Sequence, residues 1–290
     1  MKKVLVTGKK GYIGCKFKEW IKSNNKDIEL DYISLRSEAW RDVDFTKYDS
    51  ILHLAGIAHV SNDKKLTNEY YKINRDLSYE VAKKAKKDQV KHFIFMSSVI
   101  VYGDCRNNHG QINKSTVPKP SSDYGKSKLE AENLILQLRD NEFNISIVRP
   151  PMVYGKESKG NYNKLSTLAK KTPIFPQIQN KKSMIYIENL CDFIYYILDG
   201  KIDGHFHPQN KEIIGTSFLV KEIAKSNKRN ILFLDGLNKI INYLSHKYSY
   251  INKIFGDLYY EQKMSNYDYE YNKISFSESI KITESRRVTK

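Results

Sequence analysis

The chain has 290 residues, with 49 lysines and arginines against 33 aspartates and glutamates, a formal net charge of +16. That length holds one large domain and a smaller appended one. The basic residues are spread along the chain with no basic face, aromatic platform or known reading module, so the charge reads as composition and nucleic acid is excluded as a partner. No internal repeat, signal peptide or apolar run long enough for a bilayer is visible. Three scattered cysteines, Cys15, Cys105 and Cys191, suit neither a metal site nor a disulfide framework, and point to a reduced, cytoplasmic setting.

Residues 2 to 6 read as a short buried strand. They run into Thr7-Gly8-Lys9-Lys10-Gly11-Tyr12-Ile13-Gly14 and then a helical stretch from Cys15 to Ser23. A glycine-rich turn between strand and helix lets backbone N–H groups approach a pyrophosphate at the positive end of the helix dipole. Gly8 makes the tight turn, Gly11 the close approach, and Gly14 the packing of helix on strand. Further apolar strands are expected at Ile51–Leu54, Phe93–Phe95 and Ile145–Val148, with helices at 69 to 87 and 123 to 141. The alternation predicts an α/β fold, a Rossmann-type doubly wound parallel sheet covered on both faces.

Within that frame Tyr124 and Lys128 lie one helical turn apart, and Ser97-Ser98 closes the Phe93–Phe95 strand. A lysine ammonium beside a phenol favours the phenolate, letting a tyrosine exchange a proton with a carbinol or carbonyl oxygen. A serine hydroxyl aimed at the same oxygen completes such a site. After Arg149 loops and helices interleave. A smaller substrate-binding subdomain is expected from 151–181 plus 201–290, with 1–150 plus 182–200 forming the dinucleotide-binding domain. His205 and His207 alternate on a short strand and read as structural. Leu234 to Leu258 carries an amphipathic helical pattern, of one helix or two, best explained by packing on the subdomain; peripheral membrane contact is the second reading. Cys15 and Cys191 are expected in the core, and part of the polar, tyrosine-rich stretch from Tyr259 to Lys290 to be poorly ordered.

These motifs in this order resemble the extended short-chain dehydrogenase/reductase family of nucleotide-sugar enzymes, over roughly residues 2 to 200. The resemblance rests also on Ile51-Leu52-His53-Leu54-Ala55-Gly56, Asn74, Phe95-Met-Ser97-Ser98-Val99-Ile-Val-Tyr102-Gly103, Arg149-Pro150-Pro151-Met152-Val153-Tyr154-Gly155 and Lys182-Ser-Met-Ile-Tyr186. It implies Ser98, Tyr124 and Lys128 as catalytic residues. Cofactor contacts are implied for Gly8, Lys10, Gly11, Tyr12, Ile13, Gly14, Ser34, Arg36, Asp44, Phe45, Leu54, Ala55, Gly56, Asn74, Ser97, Tyr124, Lys128 and Pro151. Substrate contacts are implied for His59, Ser98, Val99, Tyr124, Met152, Asn161 and Lys182, the last a diphosphate-binding cation standing where arginine is usual. No metal is expected. A homodimer is expected by resemblance alone.

An acidic residue ending the second strand would hold the adenosine ribose of NAD. The second strand reads as Asp31-Tyr32-Ile33-Ser34-Leu35-Arg36, so Asp31 falls too early for that, whereas Ser34 and Arg36, helped by Lys9 or Lys10, suit the extra phosphate of NADP(H), which is therefore favoured over NAD(H). Dehydratases of the family carry an Asp-Glu pair where this chain has Val99-Ile100, which disfavours dehydration. Two reactions remain: reduction of the 4-keto group of a UDP-4-keto-6-deoxy-N-acetylhexosamine for surface polysaccharide, and epimerisation of a UDP-sugar at C4. Met152, where many epimerases have an asparagine, leans the choice to the reductase. A non-catalytic dinucleotide-binding regulator is the alternative outside enzymes.

Overall fold

The computed structural model describes residues 1–57, 67–105 and 108–285, except for the side chains of residues 246, 249 and 250. The chain divides into two compact units, residues 1–103, 117–150 and 191–208 in the first and 104–116, 151–190 and 209–290 in the second. This division differs from the expected one at three places. Residues 104–116 and 182–190 group with the second unit, and 201–208 with the first, because Gly204–Phe206 pairs in register with Ser146–Val148 and so extends the main sheet.

The first unit is built on six parallel strands. Their order across the sheet is Gly204–Phe206, Asn144–Val148, His92–Met96, Ser50–His53, Lys2–Thr7 and Ile28–Ile33. All five pairings are parallel, so helices must cover both faces. Against one face, Val81, Ala82, Ala85, Ala131 and Ile135 pack on Leu5, Ile51, Phe93, Phe95, Ile145 and Ile147. On the other, helix Tyr12–Ser23 meets the later part of helix Ile187–Gly200 through Trp20 and Tyr195, ring centroids 5.8 Å apart. From Lys2–Thr7 the chain goes out to Ile28–Ile33 on one side and returns to Ser50–His53 on the other. That reversal is the topological switch point of a doubly wound sheet, where the carboxyl ends of two strands open a crevice.

The second unit has shorter elements. Met152–Tyr154 pairs with Met184–Tyr186, Ile174–Pro176 with Leu232–Leu234, and Gln111–Ile112 with Tyr259–Tyr260. The expected amphipathic stretch is two helices, Asn238–Lys247 and Ser249–Phe255. Of the stretch from Tyr259 to Lys290, part of which is expected to be poorly ordered, residues 259–285 are packed into the second unit, and 286–290 lie outside the described residues. Tyr260, Tyr271, Phe276 and Ile280 are buried, Asn189 donates to Ile274 O at 2.9 Å, and Tyr154 Oη lies 2.6 Å from Ser279 Oγ. Tyrosines read as polar in sequence bury their rings here and bond through their hydroxyls.

Candidate active site

The glycine turn follows Lys2–Thr7 at the switch point. Gly8 has φ +85°, and a Cβ there would stand 3.1 Å from Ala55 N, so the position needs both glycine's freedom and its lack of side chain. A Cβ on Gly11 would meet Gly8 O at 3.2 Å. Gly14 lets the helix approach the sheet: its Cβ would touch Leu54 and Tyr32, and Tyr32 Oη donates to Gly14 O at 3.1 Å. Helix Tyr12–Ser23 begins at Gly11 with no capping side chain and no acidic residue in its first turn. Its first N–H groups and dipole are thus left for an anion, which is what a dinucleotide pyrophosphate requires. The residues present fit that group.

The second strand ends three residues earlier than the sequence pattern suggests, at Ile33. Ser34 and Arg36 lie just past its end, exposed, and Arg36 N donates to Ser34 Oγ at 3.4 Å. Asp31 lies inside the strand and accepts from Tyr48 Oη at 2.9 Å. Two expected nucleotide contacts have other structural work. Phe45 is wholly buried in the core, and Asp44 closes a local turn by accepting from Thr46 N at 2.9 Å and Thr46 Oγ1 at 2.6 Å. That turn, chiefly its side-chain bond, holds the exposed carboxyl below its ordinary range.

Residues 54–56 leave the third strand and cross beneath the glycine turn. Ala55 N donates to Thr7 Oγ1 at 3.2 Å; that hydroxyl lies 3.1 Å from His53 Nδ1, and His53 Nε2 lies 3.0 Å from Ser78 Oγ. Burial, with the nearby Lys128 charge, pushes His53 down to about 3, so it stays neutral. Asn74 clamps the loop from the other side: its Oδ1 accepts from Ile57 N at 2.9 Å and its Nδ2 donates to Ile57 O at 3.1 Å. This asparagine sits in a π-helical run, Tyr71–Leu77, inside what the sequence predicts as an uninterrupted helix. The wider turn is one of the recognised ways a helix accommodates a functional side chain.

Tyr124 and Lys128 come from helix Asp123–Leu136, started by Ser122, whose hydroxyl accepts from Gly125 N at 3.2 Å. Lys128 is 5% exposed, and its Nζ donates to Met96 O at 2.9 Å. A Cβ on Gly56 would stand 3.3 Å from that Nζ and 2.9 Å from Asn74 Oδ1. Lys128 therefore lies against the loop that backs the glycine turn. Ser98, at the end of the fourth strand, hydrogen-bonds the Tyr124 phenol and starts the short 3₁₀ turn Val99–Tyr102, its Oγ accepting from Ile100 N at 3.3 Å. Val99 is held where its N–H donates to Pro150 O at 3.0 Å.

The electrostatics differ from the sequence expectation in one respect. Burial pushes Tyr124 up to about 12, with the Ser98 hydrogen bond opposing in part. Burial also pushes Lys128 down to about 8, against the pull of Glu132. Desolvation dominates both shifts, so at neutral pH the helix carries a protonated phenol and, one turn on, a lysine still charged. Such a phenol is set to donate a proton.

Ser97 does not turn toward the crevice. It donates to Glu132, which is 1% exposed and paired with Arg149 through Nε at 3.1 and 3.2 Å. Arg149 Nη1 donates to Tyr102 Oη at 2.7 Å, and Tyr102 Oη lies 2.9 Å from His207 Nε2. No sequence spacing announces this buried network, nor the Thr7–His53–Ser78 chain, because their partners come from separate elements. Cys15, expected in the core, is exposed, whereas Cys191 is buried.

The remaining expected residues belong to the second unit. Pro151 is buried directly before Met152–Tyr154, half-buried Met152 begins that strand, and exposed Asn161 begins helix Asn161–Lys171. Lys182 is held by its backbone, its N donating to Ile214 O at 3.0 Å. Burial pushes its ammonium down to about 8, Asp257 opposing. His59 lies outside the described residues.

Residues 4–207 match the model of the NAD dependent epimerase/dehydratase family. A UDP-glucose 4-epimerase of Vibrio cholerae is 30% identical over 246 residues, 77% of this chain and 75% of that protein. An N-acetyl-alpha-D-glucosaminyl-diphospho-ditrans,octacis-undecaprenol 4-epimerase of Escherichia coli O157:H7 is 29% identical over 79% of this chain and 73% of its own. Among solved structures, a dTDP-4-dehydrorhamnose reductase from Clostridium acetobutylicum superposes with TM-score 0.74 at 19% identity, covering 97% of this chain and 98% of its own. A UDP-N-acetylglucosamine 4-epimerase from Bacillus cereus gives 0.73 at 17%, covering 98% and 96%. At those identities the structural likeness speaks for the fold.

Proposed function

The chain belongs to the NAD dependent epimerase/dehydratase family of enzymes, and from that premise we propose that it oxidises or reduces C4 of a sugar carried on a diphosphate. One observation carries the reading: Ser98 bonded to the Tyr124 phenol, with Lys128 against the Gly56 loop behind the glycine turn. Gly8, Lys10, Gly11, Tyr12, Ile13 and Gly14 would hold the pyrophosphate, and Leu54, Ala55, Gly56 and Asn74 the ground beneath it. When bound, the nicotinamide supplies the two-electron chemistry, exchanging hydride with the sugar carbon. Ser98 fixes the sugar oxygen by a hydrogen bond. Tyr124 gives that oxygen its proton in reduction and removes it in oxidation. Lys128 keeps positive charge beside the phenol while the proton moves. Lys182 offers the sugar diphosphate a point charge, without the bidentate fork of an arginine.

Within this chemistry the favoured reaction is reduction of the 4-keto group of a UDP-4-keto-6-deoxy-N-acetylhexosamine. Its support is the nucleotide end: Ser34 and Arg36 stand exposed past the second strand while Asp31 is engaged by Tyr48, which suits NADP(H) over NAD(H). A protonated Tyr124 also suits the reductive direction. The second reading, a UDP-sugar 4-epimerase, is favoured by the activities named for the two relatives. A cytoplasmic homodimer belongs to the same proposal, on the cysteines and the resemblance.

The purified protein, incubated with NADPH and the 4-keto sugar, distinguishes the two. Reduction consumes one NADPH per sugar, followed by the loss of the reduced nicotinamide's absorbance. Interconversion of UDP-sugars at constant absorbance, on cofactor retained through purification, would replace the reductase with the epimerase. Absence of both would reject the shared chemistry.

A further inference from the structure

The second unit carries an apolar surface that the proposed reaction does not use. Leu232–Leu234 pairs in parallel with Ile174–Pro176, Leu232 opposite Ile174. This two-stranded ribbon buries Phe175, whose ring meets Phe233 and Phe255. Alternation along each strand then turns the neighbouring residues outward: Ile174 is 47% exposed, Leu232 61% and Leu234 39%. The chain passes from the ribbon into helix Asn238–Lys247, tied back where Asn238 Nδ2 donates to Gln177 O at 3.3 Å. On that helix Ile240 and Tyr243, three residues apart and so on one face, are 57% and 67% exposed. Tyr248, just past its end, is exposed as well. Single exposed apolar residues need no explanation, but a group on adjoining elements marks an interaction surface.

The charge around the group says what covers it. Between residues 228 and 253 stand Lys228, Arg229, Lys239, Lys247 and Lys253, against Asp235 as the one acidic residue. Lys171, at the end of helix Asn161–Lys171, directly precedes the ribbon, while its neighbour Lys170 is paired with Glu284 at 2.6 Å. A bilayer containing anionic lipid asks for this combination, apolar side chains amid diffuse positive charge. Tyrosine, apolar in the ring and polar at its tip, suits the headgroup level. Among the described residues no helix is long and apolar enough to cross a membrane, so the contact is with the surface. We propose that the ribbon and helix Asn238–Lys247 dock this enzyme on an anionic lipid bilayer. None of these residues belongs to the candidate active site, so this proposal and the proposed reaction fail independently.

Co-sedimentation of the full chain with vesicles tests it. Vesicles mixing phosphatidylcholine and phosphatidylglycerol should carry down most of the protein at low salt, several-fold less at high salt, and pure phosphatidylcholine little. A Leu232→Ser, Ile240→Ser, Tyr243→Ser variant should lose binding while keeping the wild-type circular dichroism and turnover of a water-soluble substrate. Lys239→Gln with Lys247→Gln, both exposed, should weaken binding severalfold even if the triple variant misfolds. No sedimentation with the anionic vesicles at low salt would overturn the proposal. So would undiminished binding by the folded apolar variant or by the charge variant. A wild-type dimer that the folded apolar variant turns into monomer, with no lipid binding by either, would assign the face to a second copy instead.

Discussion

At the scale of single residues, the site depends on a phenol kept protonated and an amine kept charged in the same buried place. Tyr124→Phe removes the proton donor while preserving ring packing against Tyr70, centroids 5.9 Å apart. It should lower kcat by roughly 10²–10⁴-fold and leave dinucleotide affinity, read by fluorescence titration, nearly unchanged. Lys128 supplies the pH dependence. Its ammonium is present below about 8 and lost above, so kcat/KM should fall as pH rises through that value, and a profile flat from neutrality to pH well above it would contradict the role. Gly56 gives a steric test, since a methyl there would enter the space of Asn74 Oδ1 and crowd Lys128 Nζ. Gly56→Ala should cost at least about tenfold in kcat/KM with little change in thermal midpoint. That the three glycines join a strand to a helix, and that Tyr124 and Lys128 share one helix, was legible from short spacings. The direction of the tyrosine's shift was not, because desolvation depends on what the fold packs around the ring.

At the scale of elements, sequence pattern located the main-sheet strands Lys2–Thr7, Ser50–His53, His92–Met96 and Asn144–Val148 to within a residue or so. Each is a short apolar run bounded by polar turns. Ile28–Ile33 was missed by three residues, because Tyr32-Ile33-Ser34-Leu35 continues the alternation that the sheet itself does not use. The π-helical run at Tyr71–Leu77 has no sequence period of its own; it exists because Asn74 must reach both polar groups of Ile57. Helix Asp123–Leu136 is also the carrier of Glu132, which ties it to Ser97 after the fourth strand and to Arg149 after the fifth. A buried pair stripped of one partner leaves an uncompensated charge. Arg149→Met should therefore destabilise the fold by about 3–5 kcal/mol, measured by urea unfolding. A loss under about 1 kcal/mol would mean that the carboxylate finds water or a proton instead.

For the whole molecule, three histidines of the first unit are held neutral by burial. His53 and His207 are pushed down to about 3 and His92 to about 4. In the unfolded chain each takes up a proton near its ordinary value of about 6.5, which the folded chain refuses. The unfolded state thus binds more protons as pH falls, and stability should decline progressively from about pH 6.5 toward 4, by about 1.4 kcal/mol per pH unit for each such histidine. Urea midpoints at pH 7.5 and 5.5, test values about a unit either side of that ordinary value, check it; equal midpoints would show that water reaches these rings. Fold class was legible from alternating strands and helices, and the family from its ordered motifs. The architecture of the second unit was not, since its strands are three residues or fewer and carry no periodicity.

The two units are woven through each other along the sequence. The outermost strand of the six-stranded sheet, Gly204–Phe206, lies well past the start of the second unit, and Gln111–Ile112 waits for Tyr259–Tyr260. A ribosome therefore cannot release one finished body before beginning the next. The emerging polypeptide must keep an unfinished sheet edge until Gly204–Phe206 is made and a lone short strand until Tyr259–Tyr260 is made. Premature termination before Gly204 would leave both units unfinished, and termination between there and Phe276 the second unit; such fragments should be substrates for chaperones and proteases.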